Sequence, residues 1–176
     1  MSELYDQIVQ QRGSLERLVA RLPGFRGYQD KQARRTADTM LRDYIAEQIK
    51  QRIQRLVSIE KIILDKLGMS LMPKTRDVKG KTQLYHDKVA TQAPGYSGMW
   101  SQMKIGDEEL EKIYSFDEAQ IRYMDQMDEK LEGLELAAKS GEGIEDAIYA
   151  LDAVVSEAIT ALALRDDVLV KLSKST

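Results

Sequence analysis

Few residues in this chain could do chemistry, and their spacing narrows the set further. His86 is the only histidine, between Tyr85 and Asp87. A Ser-His-Asp triad would have to use it as its base; an exposed helical histidine is the plainer reading. No glutamate stands three residues before it, so the paired Glu-x-x-His motifs of a di-iron bundle cannot form. The chain has no cysteine, which removes disulfides, thiolate metal sites, iron–sulfur clusters and cysteine nucleophiles. No stretch has the ligand spacing of an EF-hand loop. Gly24-Phe25-Arg26-Gly27 and Gly95-Tyr96-Ser97-Gly98 pair their glycines, but no strand precedes either. Neither reads as a phosphate-cradling loop or a KH loop. The expectation is a protein with no catalytic residue, no metal site, no cofactor and no small-molecule substrate.

Two other features remain. Asp117 falls where a long apolar helix should be buried. A buried carboxylate needs a charged or hydrogen-bonding partner, and the basic half of the chain offers Arg34, Arg35 or Arg42. A structural ion pair fixing helix register is the favoured reading. The second feature is a cationic run, Arg26, Lys31, Arg34 and Arg35, with Arg42 beyond it and Phe25 and Tyr28 interleaved. It could bind an anionic partner at the start of a helix. The blander alternative, a turn whose arginines pair with acidic helices, is preferred.

The elements that would position these residues are helices. Leu4, Ile8, Leu15, Leu18 and Leu22 space a first helix over Ser2–Leu22, with Tyr5, Val9 and Val19 widening its stripe. Gly13 marks a kink or break in it, and Pro23-Gly24 stops it. A second, longest helix runs from Asp30 to Leu67. Leu41, Ile45, Ile49, Ile53, Leu56, Ile63 and Leu67 mark its buried side, broadened by Val57 and Leu64, and Gly68 caps it. It would be roughly 55 Å long, more than the roughly 30 to 40 Å diameter of a compact domain of this size. A short, weak helix is predicted over Pro73–Gln92, followed by a loop from Pro94 to Gly98. Tyr96 and Trp100 are read as loop residues that plug the end of the core. Asp107 opens another long helix, with Glu108, Glu109 and Glu111 complementing its dipole. It ends at Lys139-Ser140-Gly141, and a last helix spans Glu142–Leu172. Met69, Met72, Met99, Met103, Met124 and Met127 are read as filling an irregular core, with an adaptable binding surface as the alternative. The sum is all-α, one domain over 1–176, an elongated antiparallel bundle of four or five long amphipathic helices.

Charge is unevenly distributed. Residues 1–104 carry 19 Lys/Arg against 11 Asp/Glu, and residues 105–176 carry 7 against 18. The asymmetry suggests an electrostatic partner: the favoured reading is that the basic and acidic halves meet, within one chain or between copies, and the alternative is a basic face for an anionic membrane or nucleic acid. The start, Met-Ser-Glu-Leu-Tyr-Asp-Gln, is not patterned as a signal peptide. No stretch reads as the roughly 20 apolar residues of a membrane span. A cytoplasmic protein is the expectation.

Pro23-Gly24-Phe25-Arg26-Gly27-Tyr28, then Arg34-Arg35, Asp38 and Leu41-Arg42, resemble a signature of an uncharacterised family of bacterial all-helical proteins. Asp87-Lys88-Val89-Ala90-Thr91 leading to Gly95-Tyr96-Ser97-Gly98-Met99 resembles it further. So does Leu110-Glu111-Lys112-Ile113-Tyr114-Ser115-Phe116-Asp117. Pro94 stands where that family usually has an aromatic, and Trp100 where it has Phe. The resemblance implies a helical fold and a bacterial cytoplasmic origin, and brings no activity with it. The leading functional expectation is a non-enzymatic scaffold or adaptor that associates with itself or with another helical protein. A peripheral binder of anionic membrane, using the basic half, is the alternative. Nucleic acid is a weaker candidate, because the acidic half would repel a phosphate backbone.

Overall fold

The structure is a computed structural model that describes residues 2–91, 100 and 103–174. The chain is all-α among them. Its helices are α1 (Glu3–Val9), α2 (Ser14–Arg21), α3 (Arg34–Leu67), α4 (Met72–Ala90), α5 (Asp107–Ser140) and α6 (Ile144–Lys174). Ser2 caps α1 by accepting from the Tyr5 backbone N–H at 3.2 Å. The single first helix expected over Ser2–Leu22 is two helices. Gly13 sits between them in the left-handed region, at φ 68°, where an α-helix cannot continue. The second expected helix starts four residues late, at Arg34, because the chain turns through Asp30–Ala33 first.

Four long helices surround one core. Backbones of α3 and α4 adjoin, as do α5 and α6, α3 and α5, and α4 and α6. The short turns at 68–71 and 141–143 make α3/α4 and α5/α6 antiparallel hairpins. Between hairpins the neighbours run parallel. Arg52, Arg55 and Lys66 of α3 meet Asp128, Glu135 and the Lys139 carbonyl of α5 in the same chain order. Lys74 and Lys81 of α4 likewise meet Glu145 and Asp152 of α6. α1 and α2 lie against α5, and α1 also touches α6.

α5 is therefore enclosed along its middle, where every residue from Ile113 to Ile121 is buried. A helix surrounded on all sides cannot keep a polar face toward water. Its polar residues find partners instead. Ser115 lies 3.5 Å from the Ser14 hydroxyl, Glu118 pairs with Arg17 and Arg122, and Gln120 accepts from the Tyr85 hydroxyl.

Three sequence expectations fail on the outer face. Val57, Leu64 and Leu67, assigned to the buried side of α3, are exposed, because α3 faces its neighbours along a narrower stripe than its apolar residues cover. Val19 is exposed on α2, and Met69 is 67% exposed in the α3/α4 turn instead of filling the core. Met72, Met103, Met124 and Met127 are buried as expected; Met99 lies outside the described residues. α6 contains a window long and apolar enough by composition to cross a membrane, contrary to the expectation that no stretch would. In this fold Leu151, Val155, Ala158 and Leu162 of that helix pack inward, and Asp152 pairs with Lys81.

Candidate functional site

The most chemically dense place in the molecule is a buried polar cluster where the Pro23–Ala33 turn meets α3, α5 and α6. The turn sets it up. Gly24 and Gly27 have φ of 82° and 80°. At Gly27 a Cβ would lie 2.4 Å from the Tyr114 hydroxyl oxygen, so only glycine lets the turn settle onto α5. Next to it the Tyr28 backbone N–H donates to that hydroxyl at 2.8 Å. The Tyr28 ring is stacked between Trp100 (5.0 Å between centroids, planes 10° apart) and Tyr114 (5.5 Å, 18°). Phe25 meets its edge at 5.7 Å. Trp100 is thus buried at this end of the core, while Tyr96 lies outside the described residues.

Tyr28 points its hydroxyl inward, donating to Asp117 Oδ2 at 2.5 Å. Arg165 Nε donates to Asp117 Oδ1 at 2.5 Å, and Arg165 Nη2 donates to Asp38 Oδ1 at 2.6 Å. Asp38 in turn accepts from Arg42 Nε, one helical turn on, at 3.1 Å. Arg42 also donates to the Val89 carbonyl at 3.2 Å and to the half-exposed Asp166 at 3.4 Å. Two arginines thus face two fully buried carboxylates and a third at the surface, which leaves little uncompensated charge. Burial pushes the Asp117 carboxyl up from its ordinary value, and Arg165 and Tyr28 pull it back down. Burial also holds the Tyr28 phenol well above its ordinary value, with Asp117 adding to it.

Asp117 is buried and ion-paired, but not with the residues expected. Its partner is Arg165, from the acidic half of the chain. Arg35 is exposed on the outside of α3. Arg42 spends its guanidinium on Asp38 and Asp166, and Arg34 spends its own on the Tyr28 carbonyl at 2.7 Å and the Met103 carbonyl at 3.2 Å. Arg34 and Arg42 are therefore corrected as members of an anion-binding surface: both are buried, with their N–H groups turned inward. Arg26, Lys31 and Arg35 remain exposed. Sequence reading missed Arg165, Asp38 and Tyr28 as one constellation. Arg165 interrupts the apolar run of the last helix, and that interruption was the available signal.

The cluster ties together helices whose backbones do not adjoin. α3 and α6 lie across the core from each other, and Arg165 spans them to reach Asp38. On the other diagonal, the Tyr85 hydroxyl of α4 reaches Gln120 of α5. Asp117 has no exposed surface. What this arrangement can do is fix the register of four segments at once. His86 is partly exposed, next to Asp87 at 3.0 Å and Gln83. No group of three or more potential metal ligands gathers among the described residues.

Comparison with protein-family models, with curated proteins and with solved structures gave no match. The resemblance to bacterial helical proteins therefore rests on its motifs alone.

Proposed function

We propose that this protein is a non-enzymatic helical scaffold that assembles with a second copy of itself through the end where both hairpins turn. The observation that carries the reading is that the segments meeting there each leave apolar side chains uncovered. Leu64, Leu67, Met69 and Leu136 are exposed, and the contact from Lys66 to the Lys139 carbonyl brings their segments to the same end of the molecule. Exposed apolar side chains gathered with charge around them mark an interaction surface. The surrounding charge is of both signs. Lys61 and Asp65 are exposed, and neither has an ion pair among the described residues. A two-fold axis would set Lys61 of one copy against Asp65 of the other, the self-complementarity that an isologous interface requires.

The basic and acidic halves do not drive this assembly. Arg21–Asp125, Arg42–Asp166, Arg52–Asp128, Arg55–Glu135, Lys74–Glu145 and Lys81–Asp152 all join the two halves within one chain. The polarity of the sequence is largely used up in folding, so apolar contact should hold the assembly. Light scattering coupled to size exclusion tests this. A concentration-dependent dimer is expected that persists in high salt and is weakened by Leu67→Ser with Met69→Ser. A monomer at every concentration would remove the reading.

A peripheral contact with anionic membrane is the second reading. Arg26, Lys31 and Arg35 stay exposed around the α3 N-terminus, which has no side-chain cap. Flotation with acidic liposomes at low salt should then fail for the triple Arg26→Gln, Lys31→Gln, Arg35→Gln variant. No flotation of the unaltered chain would remove this reading.

A further inference from the structure

Four tyrosines are buried among the described residues, and three have hydrogen-bonded hydroxyls: Tyr28 with Asp117, Tyr85 with Gln120, and Tyr114 with the Tyr28 backbone. Tyr123 is the exception. It is 5% exposed, and its hydroxyl has no hydrogen-bond partner among the described residues. Its ring is buried, and the hydroxyl, with no protein partner among the described residues, is not one of the oxygens sealed from solvent.

Tyr123 lines a groove of about 340 Å³ between α1, α5 and α6, near the lower end of the range for small-molecule sites, about 300–1,000 Å³. The groove is polar. α1 and the residues after it contribute the carboxamides of Gln7, Gln10 and Gln11, and α5 contributes that of Gln126. Two charges of opposite sign also line it, Arg122 from α5 and Glu157 from α6. They are not paired with each other. Arg122 uses its Nε on Glu118 at 2.8 Å, and its terminal nitrogens make no hydrogen bond among the described residues. Glu157 is exposed and has no ion pair among them. Both act electrostatically on the Tyr123 phenol, which burial and then Glu157 push up to about 12 while Arg122 opposes. The phenol therefore stays protonated and able to donate at neutral pH.

An arginine and a glutamate that are not paired with each other, a hydroxyl with no protein partner among the described residues and a wall of carboxamides are complementary to one kind of small ligand. We infer that this groove binds a free α-amino acid with a polar side chain. Its carboxylate is held by Arg122 and the Tyr123 hydroxyl, and its ammonium by Glu157. The carboxamides of Gln7, Gln10, Gln11 and Gln126 are left for the side chain. A bare anion would face Glu157, and a bare amine would face Arg122. A molecule carrying both charges meets both residues at once. Because α1 forms one wall, an occupied groove fastens α1 onto α5 and α6. This inference stands apart from the self-assembly reading.

The test is thermal unfolding and titration calorimetry of the full chain against the twenty amino acids at millimolar concentration. Acetate, methylamine and glucose serve as controls carrying part of the chemistry. At least one polar amino acid should raise the unfolding temperature saturably, as a ligand of the folded state must, while acetate and methylamine should not. Tyr123→Phe and Glu157→Gln should each weaken binding about tenfold or more, the order expected for a hydrogen bond to a charged group. Tyr123→Phe should leave the ligand-free unfolding temperature unchanged or raised, since its hydroxyl has no partner to lose. No response to any amino acid, an equal response to acetate or glucose, or undiminished binding by Tyr123→Phe would overturn the inference.

Discussion

Arg165 is the residue on which the most other groups depend. Replacing it with methionine leaves Asp117 and Asp38 buried with their strongest partner gone, and breaking a buried pair in this way costs about 3–5 kcal/mol. Adding Asp117→Leu should recover part of that loss, because the uncompensated charge goes with it. Urea unfolding of both single variants and the double would measure the coupling, and strict additivity would show that the pair does not act as a unit. Gly27→Ala should be severe for a different reason. Its Cβ would overlap the Tyr114 hydroxyl, and the left-handed backbone disfavours any side chain there. A third consequence at this scale concerns alkaline pH. Tyr28, Tyr85, Tyr114 and Tyr123 all have phenols raised by burial above their ordinary value, whereas an unfolded tyrosine ionises near 10. Above about pH 10 the folded chain holds protons that the unfolded chain has lost, so stability falls as pH rises. Absorbance at 295 nm should show these phenols ionising late and together with unfolding.

At the scale of elements, the ion pairs on the surface set the response to acid. Asp125 is held below its ordinary value by Arg21, Glu135 by Lys139 and then Arg55, and Glu145 by Lys74. A depressed carboxylate contributes stability that is present above its unfolded value, near pH 4, and is lost as pH falls through the folded value. Asp117, raised by burial, carries the opposite sign. The unfolding temperature should therefore decline below about pH 4, and salt should blunt the decline, since these pairs sit at the surface. Flat behaviour from pH 5 to pH 2 would show that the pairs contribute nothing. Two helix interiors offer the reverse effect. Gly80 in α4 and Gly133 in α5 are helical, and a Cβ on either would meet nothing within 4 Å. Gly80→Ala and Gly133→Ala should each stabilise the fold by about 0.5–1 kcal/mol, read from denaturant midpoints.

At the scale of the whole molecule, much of the helical layout could be read from the chain. The ends of α4, α5 and α6 fall within two residues of expectation, because Pro73, Asp107 and Gly141 are strong local punctuation. Gly13 announced the break between α1 and α2 for the same reason. What could not be read was which side of each helix is covered. Periodicity reports that a helix has an apolar stripe, and it is silent on how many neighbours the helix has. α5 is surrounded from Ile113 to Ile121, so the polar residues of that stretch are inside. α3 is not, so Leu64 and Leu67 are outside despite matching the spacing of a core.

The sequence by itself determined the long helices, most of their ends and the burial of Asp117, and it favoured the meeting of a basic half with an acidic one. These follow from local propensity, from the cost of stranding a carboxylate and from net charge, none of which needs the tertiary arrangement. Only the tertiary structure decided that Arg165 answers Asp117, that Arg34 and Arg42 turn inward, and that the Tyr123 hydroxyl faces a groove with no protein partner among the described residues. Each of those depends on side chains from segments far apart in the chain. Arg165 and Asp117 are 48 residues apart, and Arg165 and Asp38 are 127. Separations of that size become contacts only when the helices are packed side by side.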